Sequence, residues 1–335
     1  MKITGLAAAI SFAVTAIVSH AQTPTQFALD WKFEGPSAAY FAAVDNGHFE
    51  AEGLAVEISA GQGSLDAIPK VATGSHPFGF ADINSLAKFL DSNPGAPVIG
   101  VMMIYDKPPF AVVGRKSLGV NGPSDLEGRI LGAPPPDGAW AQFPAFASVN
   151  NINVDNITVE PVGFPTREPM LAEGKVDAIT GFSFSSYLNL VRLGIAPDDI
   201  SVILMADHGL QLYGNTIIVN TDYAAENPDH VTGFIRAVAK GWADVIADPE
   251  AGVVMMTKRN QAADLALETE RLQISIDNNV LTDYVQANGI GGIDPDRYAE
   301  SLLQLQENYS FSNPVDGSVI FTSEYLPSDG SLMIQ

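Results

Sequence analysis

From Gln22 onward the chain alternates short β-branched or aromatic runs with stretches whose apolar residues recur at helical spacing, the pattern of an α/β protein. FALDW (27–31) predicts a first strand. SAAYFAAVDNGHF (37–49) predicts a helix carrying Tyr40, Phe41, Val44 and Phe49, stopped near Gly47. AVEIS (55–59) and PFGFAD (77–82) predict the next strands, and SLAKFLD (85–91) a helix. The apolar run 96–115 predicts a strand pair or an extended crossing. After it, RILGA (129–133), DISVILMADHG (199–209) and NTIIVN (215–220) predict strands, with a helix over 139–150 following a Pro- and Gly-rich loop. From Pro228 the reading is helical. Val231, Phe234, Ile235, Val238, Trp242, Val245 and Ile246 form one stripe, behind Asn227 as cap and Pro228 in the first turn. That stripe predicts core.

One unit occurs twice. SAGQGSLDAIPKVATGSHPFGFAD (59–82) matches PVGFPTREPMLAEGKVDAITGFSF (161–184), with Pro69 on Pro169, Val71 on Leu171, Ala72 on Ala172 and Gly74 on Gly174. Each copy reads strand, glycine loop, short helix, glycine stop, strand. A βαβ unit puts its loop at the carboxyl end of the strand, facing a crevice, so two facing copies would enclose a ligand. Proline is tolerated in a first helical turn, which sets the helix starts near Asp66 and Thr166, their free N–H groups aimed at the crevice.

The 335 residues are 46% apolar, enough for two lobes with cores of their own. Lys2, the apolar run Ile3–Val18 and the small residues Ser19 and Ala21 mark 1–21 as a secretory signal peptide cleaved before Gln22, rather than a retained membrane helix. There is no cysteine, which removes disulfides, thiolate chemistry and a lipoprotein anchor, and points to a soluble periplasmic protein. The formal charge of −22 is spread along the chain and argues against nucleic acid or anionic membrane as partner.

The segments LDWKFEGPSAAYFAAVDNGHFEAEGLAVEI, GQGSLDAIPKVATGSHPFGFAD, PSDLEGRILGA and MLAEGKVDAI resemble the solute-binding proteins of ABC importers, in the family of thiamine-pyrimidine-precursor, sulfonate, taurine and nitrate binders. The resemblance covers nearly the whole mature chain. It implies an α/β, type II periplasmic-binding-protein fold, with residues 22–115 and 216–335 as lobe 1 and 116–215 as lobe 2. Hinge crossings are expected near Val113–Ser117 and Tyr213–Val219, with the C-terminal helices returning to lobe 1.

The same resemblance fills the cleft. Trp31 would stack on a ligand ring, with Tyr40 on the following helix; Gln62, Gly63 and Ser64 belong to the first loop, and Asp82 and Asn84 follow the third strand. From lobe 2 come Asp137, Gly138 and Trp140, then Phe164 and Arg167 in the second loop, and Phe182 and Tyr187 after its strand. Arg167 would hold a ligand acid group, or else pair with Glu168 or Asp177. Flat aromatic faces and few polar anchors suit a small planar solute: an amino-pyrimidine or similar heteroaromatic first, an aromatic acid or organosulfonate second.

No cofactor or metal is implied. The family resemblance extends to fungal pyrimidine synthases with a cysteine-rich motif, which this cysteine-free chain lacks; there is no GxSxG, and His48, His76, His208 and His230 stand apart without metal spacing. The expected protein is a non-enzymatic monomer serving an inner-membrane ABC permease, with a chemosensory binding role as the alternative.

Overall fold

The computed structural model describes residues 22–334; the predicted signal peptide 1–21 lies outside them. Ten strands run in chain order: β1 Thr23–Ala28, β2 Leu54–Ser59, β3 Phe78–Asp82, β4 Val98–Met103, β5 Phe110–Arg115, β6 Ile130–Ala133, β7 Thr158–Pro161, β8 Ala178–Phe182, β9 Ile200–Leu204 and β10 Asn215–Asn220. They form two sheets of the same design, β2-β1-β3-β10-β4 and β7-β6-β8-β5-β9. The first three strands of each sheet are parallel, and the fourth is antiparallel to both neighbours.

The repeat governs this design. In its two copies the helices are Ser64–Ala72 and Phe164–Ala172, and the strands after them start at Phe78 and Ala178. Both helices begin two residues before the expected Asp66 and Thr166, so Pro69 and Pro169 lie in the second turn. There each proline leaves the carbonyl four residues back without its helical donor, a cost both copies bear alike.

The chain changes sheet earlier than expected. β5 pairs with β8 and β9, so the first crossing is 104–109, ahead of the expected Val113–Ser117, and a boundary after residue 115 would separate β5 from its own sheet. Pro108 and Pro109 cannot donate to a ladder, and pairing breaks at them. The return crossing is 205–214; Tyr213 belongs to it, while Val219 is already in β10. Lys107 Nζ binds Asp207 Oδ1 at 2.6 Å, which ties the two crossings together.

The predicted stripe of the helix Pro228–Ala247 is core: Phe234 stacks on Phe78 of β3 at 3.9 Å, and Trp242 is fully buried. This helix packs on Ala38–Asp45 so closely that a Cβ on Gly241 would lie 2.2 Å from the Ala39 carbonyl oxygen. Later segments return to the first sheet through the bridges Met103–Gly291 and Gly100–Phe321. They also reach the other lobe, where the Tyr309 hydroxyl donates to the Gln142 side-chain oxygen at 2.9 Å. Among the described residues no helix is long and apolar enough to cross a membrane.

Candidate functional site

The carboxyl ends of β1, β3, β6 and β8 face one another across a cleft with about 710 Å³ of empty space, the solvent at its open mouth included. β1 ends at Ala28, so Asp30 and Trp31, expected inside a strand, stand in the loop beyond it. The glycines of the first repeat hold that loop: Gly61 N donates to Trp31 O at 3.1 Å and Gly63 N to Asp30 O at 2.6 Å. At Gly63 φ is +101°, and a Cβ there would meet the Pro136 carbonyl oxygen of the opposite lobe at 2.8 Å. Glycine is thus required both by the backbone and by the approach of the two lobes.

The lobes already touch. Trp31 meets Phe164 edge to face with ring centroids 4.6 Å apart, Ser185 Oγ donates to Glu34 Oε2 at 3.0 Å, and Gln142 Nε2 donates to Asp82 Oδ2 at 3.0 Å. Behind Trp31 and Phe164 an aromatic wall runs through Tyr40, Phe80, Tyr105, Phe182 and Phe184, with neighbouring centroids 5.5 to 6.4 Å apart.

Nine of the residues expected at the site line this cleft: Trp31, Tyr40, Gly63, Ser64, Asp137, Gly138, Phe164, Arg167 and Phe182. Five lie elsewhere. Gln62 is exposed beside the loop. Asp82 is fully buried and occupied, accepting from the backbone N–H groups of Asn84 and Ser85, both their side chains and Gln142. Asn84 donates to that carboxylate and to Tyr213 O. Trp140 stacks on Phe143 at 5.6 Å, and Tyr187 packs against the core of the second sheet. Nearness to a loop, which marks these five in the sequence, does not tell whether a side chain points to the cleft, to solvent, or into a helix cap or core.

Asp30, Lys32, Glu34, Ser37, Phe80, Tyr105, Phe184 and Ser185 also line the cleft and were not anticipated. In sequence Asp30 lies inside FALDW (27–31), where the expected strand gives it no role of its own. Its Oδ2 accepts from Asn215 Nδ2 at 2.6 Å, and burial pushes its pKa up to about 7, against the lowering effect of that bond. Burial likewise raises Asp137, which caps the helix Gly138–Val149 and accepts from Thr180 Oγ1 at 2.8 Å.

Arg167 is buried, and its partner is Glu168: Nε and Nη2 donate to Oε1 at 2.9 and 2.6 Å. Burial alone would lower its pKa, but Glu168 and Asp137 outweigh that and hold it above the usual arginine value. The Tyr40 hydroxyl is buried, with the Trp242 indole N–H beside it. Among the described residues no group of three or more His, Cys, Asp or Glu could hold a metal ion.

The family model described as NMT1/THI5 like matches residues 36–252, well over half of the chain. The chain belongs to the NMT1/THI5-like family. As a member of it, the chain is 27% identical over 87% of its length to the riboflavin-binding protein RibY of Chloroflexus aurantiacus, covering 82% of that protein. It is 25% identical over 96% of its length to the formylaminopyrimidine-binding protein of Halalkalibacterium halodurans, covering 98% of that protein. A 4-amino-5-hydroxymethyl-2-methylpyrimidine phosphate synthase of Schizosaccharomyces pombe matches at 22% identity over 67% of this chain and 66% of its own. Among solved structures, the periplasmic aliphatic sulphonate binding protein SsuA of Escherichia coli superposes with a TM-score of 0.72 at 13% identity, over 91% of this chain and 94% of that one. This family member therefore has the periplasmic-binding-protein fold.

Proposed function

We propose that this protein is the extracytoplasmic solute-binding component of an ABC importer, taking a small planar heteroaromatic solute between its lobes and presenting it to a membrane permease. The observation that carries the reading is the pair Trp31 and Phe164, one ring from each lobe, meeting at the mouth of a cleft whose wall is aromatic. Flat rings with few anchors suit a flat ligand with heteroatoms at its edge. The ligands named for two relatives, riboflavin and a formylaminopyrimidine, share a pyrimidine ring. In this reading the proposed ligand set is Trp31, Tyr40, Gly63, Ser64, Gly138, Phe164 and Phe182, joined by Asp30, and residues 1–21 direct the chain to the periplasm.

Binding and closure are one event. The lobes separate about the crossings 104–109 and 205–214, and a ligand touching both lobes favours the closed arrangement because it binds that state better. The permease then reads the closed surface.

A thermal-shift screen of the protein from Gln22 onward, with riboflavin, aminopyrimidines, aromatic acids, taurine and alkanesulfonates, tests this. A ligand at a hundred times its Kd adds about 2.7 kcal/mol, a midpoint rise of several degrees. A rise with ring solutes is expected; a rise with taurine or alkanesulfonates alone would overturn the choice of solute and favour an organosulfonate binder.

A further inference from the structure

The charges in the cleft are paired in a way that bears on what it admits, provided the cleft is the solute site proposed above. It has two cationic side chains. Lys32 is exposed at the rim, its Nζ 5.3 Å from the centre of the Trp31 ring. Arg167 is deep, but one of the two edges by which its guanidinium can grip a carboxylate or sulfonate already grips Glu168, with Nε and Nη2 on one oxygen at 2.9 and 2.6 Å. Its remaining nitrogen, Nη1, stands 4.0 Å from Asp137 Oδ2. Glu168 is itself fixed by Ser186 Oγ at 3.0 Å, so this counter-ion is built into the lobe.

The facing wall offers acceptors. Asp30 commits Oδ2 to Asn215, while no side-chain donor among the described residues reaches Oδ1. The Tyr40 ring lies in the same wall, its buried hydroxyl beside the indole N–H of the core residue Trp242. Glu34, also in the lining, is already engaged: its Oε2 accepts from Ser185 Oγ at 3.0 Å and stands 3.5 Å from Arg271 Nη1.

We infer that the cleft selects an uncharged or cationic planar ring that donates N–H groups to Asp30, and that it excludes organic anions because Arg167 is neutralised from within. An anion displacing Glu168 would leave a buried carboxylate without its partner, and one approaching Nη1 would meet Asp137 beside it, with Asp30 in the same lining.

The test is titration calorimetry at about pH 8, above the pKa of about 7 of Asp30, with two uncharged probes, riboflavin and 4-amino-5-hydroxymethyl-2-methylpyrimidine, and two anionic ones, orotate and ethanesulfonate. At least one uncharged probe is expected to bind tenfold or more tighter than either anion, a gap of about 1.4 kcal/mol. E168Q frees Arg167 and is expected to gain ethanesulfonate binding that the wild type lacks. Should E168Q fail to fold, R167Q/E168Q removes both charges together and is expected to keep the affinity for the uncharged probe within about threefold. Ethanesulfonate or orotate binding to the wild type as tightly as the uncharged probes overturns this inference and leaves the solute-binding reading standing. A tenfold loss for the uncharged probe in R167Q/E168Q also overturns it. Silence of all four probes in every folded form overturns both.

Discussion

The two repeats share one backbone but divide the chemistry between them. Their helices and strands start a hundred residues apart, so the positions can be compared one by one: Ser64 with Phe164, Ala67 with Arg167, Ile68 with Glu168, Asp82 with Phe182. In the first lobe Ala67 and Ile68 are apolar core, and Asp82 caps the next helix. In the second, the same places hold a buried ion pair and a cleft phenylalanine, and the helix after Phe182 has no side-chain cap. The first lobe therefore offers hydrogen-bond acceptors from the loop after β1, and the second offers a ring and a neutralised cation. A duplicated scaffold dictates where side chains emerge; it leaves open which of them are spent on stability.

The largest expected effect breaks the comparison at its buried pair. Glu168→Ala strands the Arg167 charge and should cost about 3–5 kcal/mol in urea unfolding. At the matching place Ile68→Ala removes only apolar volume, at about 2–5 kcal/mol. The two should differ in kind: Glu168→Ala recovers when Arg167 is changed to methionine as well, and Ile68→Ala gains nothing from such a second change. Failure of that recovery would mean the pair is not what holds the second lobe.

Asp30 sharpens the comparison through pH. Its folded pKa is about 7 against an ordinary 3.8, so between these values the folded protein holds a proton that the unfolded chain has lost. Stability from this group therefore falls as pH rises through that window, by up to about 1.4 kcal/mol per unit, and is lowest above pH 7. Asp30→Asn should flatten this part of the unfolding profile; an unchanged slope would show that Asp82 and Asp137, also raised by burial, account for it.

The rings come next. Trp31→Ala and Phe164→Ala should each weaken solute binding by about 1–3 kcal/mol, one from each lobe, whereas Trp140→Ala, stacked on Phe143, should lower stability and leave affinity unchanged. Equal effects of all three on calorimetric affinity would dissolve the distinction between cleft and core tryptophans. Smallest is Ser185→Ala, which removes the bond from one lobe to Glu34 of the other and should cost about 1 kcal/mol of closure, read as a roughly fivefold weaker Kd.

Much of this was legible from residue order. The repeat, the alternation of strands and helices and the core stripe of Pro228–Ala247 are short-range patterns, and the helices and strands follow them within a few residues. The crossing was misplaced because the apolar run 96–115 reads as continuous, although its only interruption, Asp106–Pro109, is where the chain leaves one sheet for the other. Asp30 and Asp82 are both acids at the end of an apolar run. Four of the five donors to Asp82 come from Asn84 and Ser85, a helix-cap pattern already present in DINS (82–85), and only Gln142 is remote; no local pattern says that one oxygen of Asp30 meets no side-chain donor.

The sequence by itself determined the α/β class, the duplicated unit and the family, because these rest on periodicity, on glycine and proline positions and on matched segments. Only the tertiary structure decided which loop residues face the cleft, that Arg167 is held by Glu168, and that the rings of Trp31 and Phe164 meet. Which side chains are buried and which rings meet depends on contacts between segments more than a hundred residues apart; Arg167 and Glu168 are neighbours in sequence, but their burial is not a local property.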